Sequence, residues 1–138
     1  GLGDVYKRQV LEAGEFLLSK GAAYAVVKQG EYGATLLGRD SAGNLQIFRC
    51  PAYPLKTLVD PTGAGDTFLG ALAGYLATLP PVLPSFEEVK RGIVYGTVAA
   101  SFTCESFSAD ALLSMTEETF RRRLEEYAEM CRLPGVSC

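Results

Sequence analysis

The chain has 138 residues, a formal net charge of −3, 48% hydrophobic residues and no histidine. That length bounds it to one globular unit large enough for a core, and the mild acidity argues against nucleic acid as its principal partner. Without imidazole, Ser-His and Cys-His hydrolysis and histidine-ligated metal sites are excluded.

Asp4-Val5-Tyr6-Lys7-Arg8-Gln9 is the translation of GAT GTG TAT AAG AGA CAG, a string that resembles a transposon end used in preparing sequencing libraries. Residues 1–9 therefore read as a non-native leader, and the native chain is expected to continue upstream. Over residues 10–20, Val10, Leu11, Ala13, Phe16, Leu17 and Leu18 recur at helical spacing and stop before Gly21, which predicts an amphipathic helix. YAVVK at 24–28 predicts a short buried strand, and residues 30–33 a tight turn into a second strand at 34–37. By spacing alone, Lys28-Gln29-Gly30-Glu31-Tyr32-Gly33 is a hairpin connection. GRDSAGN at 38–44 reads as an exposed turn before a third strand near 45–48, after which Pro51 and Pro54 guide an irregular connection.

Residues 57–79, TLVDPTGAGDTFLGALAGYLATL, organise the rest. Leu58 and Val59 predict the end of a buried strand, Asp60 and Pro61 stop it, and Gly63, Ala64 and Gly65 bend the backbone into a helix beginning near Asp66. Its apolar residues cover most of the circumference, which predicts a helix buried in an α/β layer structure, with Gly70 and Gly74 serving core packing. The first N–H groups of such a helix have no internal partner and carry partial positive charge, and side-chain-free Gly63 and Gly65 would let a phosphoryl oxygen approach them. Asp66 admits two readings. It is either a favourable charge for the helix dipole or a base that takes a proton from a substrate hydroxyl while the N–H groups hold the phosphoryl group. A P-loop is ruled out because no lysine follows these glycines, and a dinucleotide fingerprint is disfavoured because Phe68 stands where a third glycine or alanine is needed.

The prolines at 80, 81 and 84 mark a spacer, and Ser85 with Glu87 and Glu88 predicts a capped helix to about Phe102 whose apolar side carries Val89, Ile93, Val94, Val98 and Ala99. A last, strongly charged helix is expected over 115–131, capped by Thr116, with Arg121, Arg122 and Arg123 on a solvated face. Cys50, Cys104, Cys131 and Cys138 show no Cys-x-x-Cys spacing, as expected of thiols in a reducing compartment. No run reaches membrane-spanning length and no signal peptide is evident, so a cytoplasmic protein without membrane partners is expected.

Asp60-Pro61-Thr62-Gly63-Ala64-Gly65-Asp66-Thr67-Phe68, followed by Gly70-Ala71-Leu72, resembles the C-terminal signature of the PfkB (ribokinase-like) carbohydrate kinases. The resemblance implies the C-terminal nucleotide-binding part of a ribokinase-like three-layer α/β/α fold, incomplete, over 10–133, with 134–138 as a tail. It implies ATP- and Mg2+-dependent phosphorylation of a hydroxyl on a small-molecule sugar or nucleoside, with Asp66 as catalytic base and Gly63, Ala64 and Gly65 as anion hole. Asp60 and Thr62 would help hold a monovalent cation such as K+. Lys28, Gly30 and Gly33, in a strand-turn-strand that lies against the nucleotide in this family, become candidate ATP contacts, as do Tyr95 and Thr97 in the later helix. Some members have an asparagine near Tyr95, and glycine, frequent in the family at the helix exit 101–108, is absent here. The family's substrate strands, lid and magnesium-organising acidic motif have no counterpart in this stretch, so little activity is expected of the chain alone; the full-length protein could form a homodimer. The alternative is a non-catalytic nucleotide-binding module with the same fold.

Overall fold

The computed structural model describes residues 2–57, 60–105 and 115–135. In chain order these form α1 (Leu2–Ser19), β1 (Tyr24–Lys28), a 3-10 turn (Gly30–Tyr32), β2 (Ala34–Arg39), β3 (Leu45–Cys50), α2 (Ala64–Ala77), α3 (Phe86–Glu105) and α4 (Glu117–Cys131). The helix expected from residue 10 thus begins at Leu2, running through the leader residues. Leu58 and Val59, predicted as a strand end, lie outside the described residues, as do residues 106–108 of the expected helix exit.

The three strands form an antiparallel sheet in the order β1-β2-β3, with Val26 opposite Leu36 and Leu36 opposite Phe48. Alternation along β2 sends neighbouring side chains to opposite faces. Leu37 meets α1, so closely at Gly14 that a Cβ there would lie 2.4 Å from Leu37 Cδ1. Leu36 on the other face joins Ile93, Val98 and Phe102 of α3, Phe68 of α2 and Tyr127 of α4 in one core. The sheet is therefore covered by helices on both sides, α1 on one and α3 on the other, which is why β2 is buried along all but its last residue.

α3 starts where Ser85 caps it: the Glu88 N–H donates to Ser85 Oγ at 3.2 Å and the Ser85 N–H to Glu88 Oε2 at 2.7 Å, a reciprocal capping box. Thr116 caps α4 with Thr119 in the same way. Arg123 departs from the expected solvated face. Its side chain is 17% exposed, lies 3.8 Å from the centre of the Phe102 ring, and donates to Ser101 Oγ at 3.0 Å and Glu105 Oε2 at 2.9 Å, which clamps α4 to α3. Arg122 keeps the expected surface pairing with Glu118 at 3.2 Å.

α2 is not the buried helix its composition predicts. Phe68 is its buried residue, whereas Leu69 is 57% exposed. Gly70 and Gly74 have open space where a Cβ would go, so they make no close contact among the described residues. The close approach belongs to α3 instead: a Cβ on Gly92 would stand 2.6 Å from Leu72 Cδ1, and one on Gly96 2.9 Å from both the ring and the carbonyl oxygen of Phe68. One side of α2 beds into these two gaps, and the other has no neighbour among the described residues to cover it.

Candidate functional site

The turn ahead of α2 is held by its own short side chains and by the end of α3. Asp60 Oδ1 accepts the Thr62 N–H at 2.9 Å, an Asx turn, and the Asp60 N–H donates to the Cys104 carbonyl at 3.3 Å. Hydrogen bonds from the Thr62 side chain and backbone hold the Asp60 carboxyl below the usual carboxylate range. Gly63 then adopts a left-handed conformation, φ 84°, and no side chain caps the helix. The Ala64 N–H turns back to the Pro61 carbonyl at 3.1 Å, and the first α-helical bond runs from the Thr67 N–H to the Gly63 carbonyl at 3.0 Å. Between them, the N–H groups of Gly65 and Asp66 have no carbonyl partner among the described residues. Thr67 and Thr103 join their hydroxyls at 2.9 Å, fixing this first turn against α3.

Asp66 is exposed, and among the described residues its carboxylate has no hydrogen-bond or ion-pair partner. Lys28 arrives from the end of β1. Its Nζ lies 4.6 Å from the centre of the Phe68 ring and 3.4 Å from where a Cβ on Gly65 would stand. The fold thus gathers Asp60, Thr62, Gly63, Ala64, Gly65, Asp66 and Lys28. Backbone donors, a dipole end, one cation and one unpaired carboxylate at a single exposed corner can hold an anion and accept a proton.

The other sequence-flagged residues stand elsewhere. Gly33, φ 91°, presses on the exit of β3, where a Cβ would lie 2.0 Å from the Cys50 carbonyl oxygen, while the Cβ position of Gly30 is open. Tyr95 packs edge-on against Tyr75, ring centres 4.9 Å apart, and against Phe120 at 6.1 Å, joining α2 to α4. Thr97 is 8% exposed, donates to the Ile93 carbonyl at 2.9 Å and meets Cys50 Sγ at 3.3 Å. It faces the sheet, because the residues of α3 that turn toward α2 are Gly92 and Gly96. Phe68, Thr103 and Gly96 shape the corner without having been singled out as site residues; the four-residue spacing of Gly92 and Gly96 was the available signal. A groove of about 1210 Å³ is also separate, running between α1 and the 3-10 turn past Val10, Tyr32, Ile47 and Arg49.

The solved structure of a protein from E. coli proposed to be a ribokinase II superposes with a TM-score of 0.59 at 21% identity, covering 79% of this chain and 31% of that one. A nucleoside kinase of Burkholderia thailandensis gives 0.58 at 20% identity over 80% of this chain and 32% of its own. These establish a ribokinase-like fold, of which the described helices and small sheet are an incomplete part. In sequence, a ribokinase of Mus musculus is 37% identical over 93 residues, 67% of this chain and 27% of that protein. The chain therefore spans less than a third of the length of each of these relatives. Residues 5–115 match the pfkB family carbohydrate kinases, and the chain belongs to that family.

Proposed function

We propose that this chain is the C-terminal, nucleotide-binding part of an ATP-dependent kinase that phosphorylates a hydroxyl group of a sugar or nucleoside. The observation that carries this reading is the exposed start of α2, where two N–H groups without carbonyl partners among the described residues lie beside the carboxylate of Asp66, which has no partner among them either. Phosphoryl transfer asks for positioning and charge stabilisation more than for covalent catalysis, and this corner offers both. Asp66 accepts the proton of the substrate hydroxyl. The hydroxyl oxygen forms a bond to the terminal phosphorus of ATP as the bond from that phosphorus to the bridging oxygen breaks, and ADP leaves with the electron pair. The N–H groups of Gly65 and Asp66 face the charge that gathers on the transferred group, and Asp66 passes its proton to solvent.

The Mg2+ of the ATP complex would be held largely by triphosphate oxygens and water. Bound there, Mg2+ supplies neutralisation of phosphate charge. Asp60, hydrogen-bonded to Thr62, and Thr62 help hold a monovalent cation. Gly30, beside Lys28, serves the nucleotide by its open backbone; Gly33 shapes that turn. Spanning so little of its relatives' length, the chain alone has little activity.

The test is Asp66→Asn in the full-length protein. Turnover should fall by about a hundredfold or more, with ATP affinity and melting temperature nearly unchanged. Unaltered turnover would remove the base assignment.

A further inference from the structure

The sheet face turned to α1 carries a polar cluster that the corner at α2 does not use. Thr35 of β2 stands opposite Arg49 of β3, and Leu37 opposite Ile47, so Arg49 and Ile47 share the face on which Leu37 meets α1. Gln29, which follows β1, joins them. Its Oε1 accepts from Thr35 Oγ1 at 2.8 Å and from Arg49 Nη1, while Arg49 Nη1 also donates to Thr35 Oγ1 at 2.8 Å and Nη2 to the Tyr32 carbonyl at 3.3 Å. These bonds fix which end of the Gln29 amide is oxygen. Its Nε2 is left as a donor without a partner among the described residues, in a residue only 8% exposed. No side-chain nitrogen or oxygen of the described residues is both fully enclosed and unbonded, so Nε2 keeps an opening, and Gln29, Thr35 and Arg49 all line the groove of about 1210 Å³ beside α1.

An amide donor so little exposed is costly to leave unpaired. Beside it, Arg49 has no carboxylate partner among the described residues; Glu31, also in the lining, is exposed on the 3-10 turn and makes no bond to the cluster. A guanidinium and an amide N–H side by side suit an anion with two coplanar oxygens. Apolar groups stand around them, Val10 and Leu11 from α1 and Ile47, 46% exposed, from β3. Inorganic phosphate would gain nothing from such walls, whereas a carboxylate attached to hydrocarbon uses both. We propose that this groove is a second ligand site, separate from the phosphotransfer corner, that takes a monocarboxylic acid with an apolar body: Gln29 Nε2 and Arg49 donate to its carboxylate, and its hydrocarbon lies along Ile47, Val10 and Leu11.

In the full-length protein, octanoate should bind at one site in isothermal titration, about tenfold or more tighter than octan-1-ol, the worth of a charge-assisted hydrogen bond. Arg49→Met keeps the stem, removes the charge and should abolish that preference. Ile47→Ser should weaken acid and alcohol alike. On the unsubstituted protein, a diazirine-bearing octanoate should on irradiation label the peptides that hold Val10, Leu11 and Ile47, and excess octanoate should suppress the label. Absence of saturable octanoate binding, equal affinity for acid and alcohol, an undiminished preference in Arg49→Met, or label confined to other peptides would overturn the inference. Displacement of octanoate by ATP would overturn it too, by giving the groove to the nucleotide, and would leave the kinase reading standing.

Discussion

Two glycine turns share this fold and have opposite fates. In the first, around the Gly30–Tyr32 segment, most polar atoms are used up locally. Gln29 Oε1 accepts from Thr35 Oγ1 at 2.8 Å and from Arg49 Nη1, and Arg49 Nη2 reaches the Tyr32 carbonyl at 3.3 Å. Gly33 is consumed by contact with the backbone of residues 50–52. In the second, at Gly63, among the described residues the glycine has room in front of it, two N–H groups lack carbonyl partners and the adjacent carboxylate is unpaired. The same residue type closes a structure in one place and leaves one open in the other, and unspent hydrogen-bonding capacity tells them apart.

Substituting the glycine of the closed turn should have the largest effect on stability. Gly33→Ala places a Cβ 2.0 Å from the Cys50 carbonyl oxygen and 2.8 Å from Ala52 N at a φ of 91°. Backbone on both sides cannot withdraw as a flexible side chain would. The loss should be about 3 kcal/mol or more, a fall in melting temperature on the order of 10 °C. A melting temperature within a degree or two of the unsubstituted chain would break the comparison at its first term.

The seat beneath Gly33 gives a second test, through pH. The Tyr127 hydroxyl donates to the Pro51 carbonyl and meets Cys50 Sγ at 3.1 Å. Burial pushes the Cys50 thiol above its ordinary 9.0 and the Tyr127 phenol above its ordinary 10.0. The folded chain thus keeps protons that the unfolded chain releases. This contribution is fully present below about pH 9 and is lost as pH rises beyond the unfolded values, at about 1.4 kcal/mol per pH unit for each group. Denaturant unfolding between pH 7 and 11 should show the decline, and Cys50→Ala with Tyr127→Phe should flatten it. Parallel curves for the two proteins would show that the seat does not govern alkaline stability.

What the sequence made legible divides along the same line. YAVVK matched β1 to the residue because alternation and the flanking turns are local signals, and Gly-Ala-Gly-Asp announced the helix start because its chemistry is also local. The surroundings of α2 were not legible. An apolar composition records that a helix can be buried, not whether a neighbour covers each side, and Leu69 stands exposed. Likewise Gly70 and Gly74 carry the same spacing as Gly92 and Gly96, but among the described residues only the second pair meets a partner, since helix contact depends on rotation about the axis and crossing geometry. The nearness of Lys28 to Gly65 was hidden for the same reason: it arises from β1 and α2 meeting through Phe68.

The smallest effect should come from the glycine of the open turn, and its smallness is informative. In Gly63→Ala the new Cβ meets no atom nearer than Thr103 Cγ2 at 3.9 Å, so crowding contributes nothing. What remains is the cost of an L-residue at φ 84°, about 1–2 kcal/mol, which thermal melting should register as a modest decrease. The strain is relieved if residue 63 moves toward negative φ. That motion would turn the first N–H groups of α2 away from their present direction. Turnover of the full-length protein should therefore fall further than the stability loss alone would produce, whereas Gly33→Ala should lower the yield of folded protein and leave kcat per folded molecule much less affected. Matching ratios of activity to stability in the two variants would erase the distinction between the closed turn and the open one.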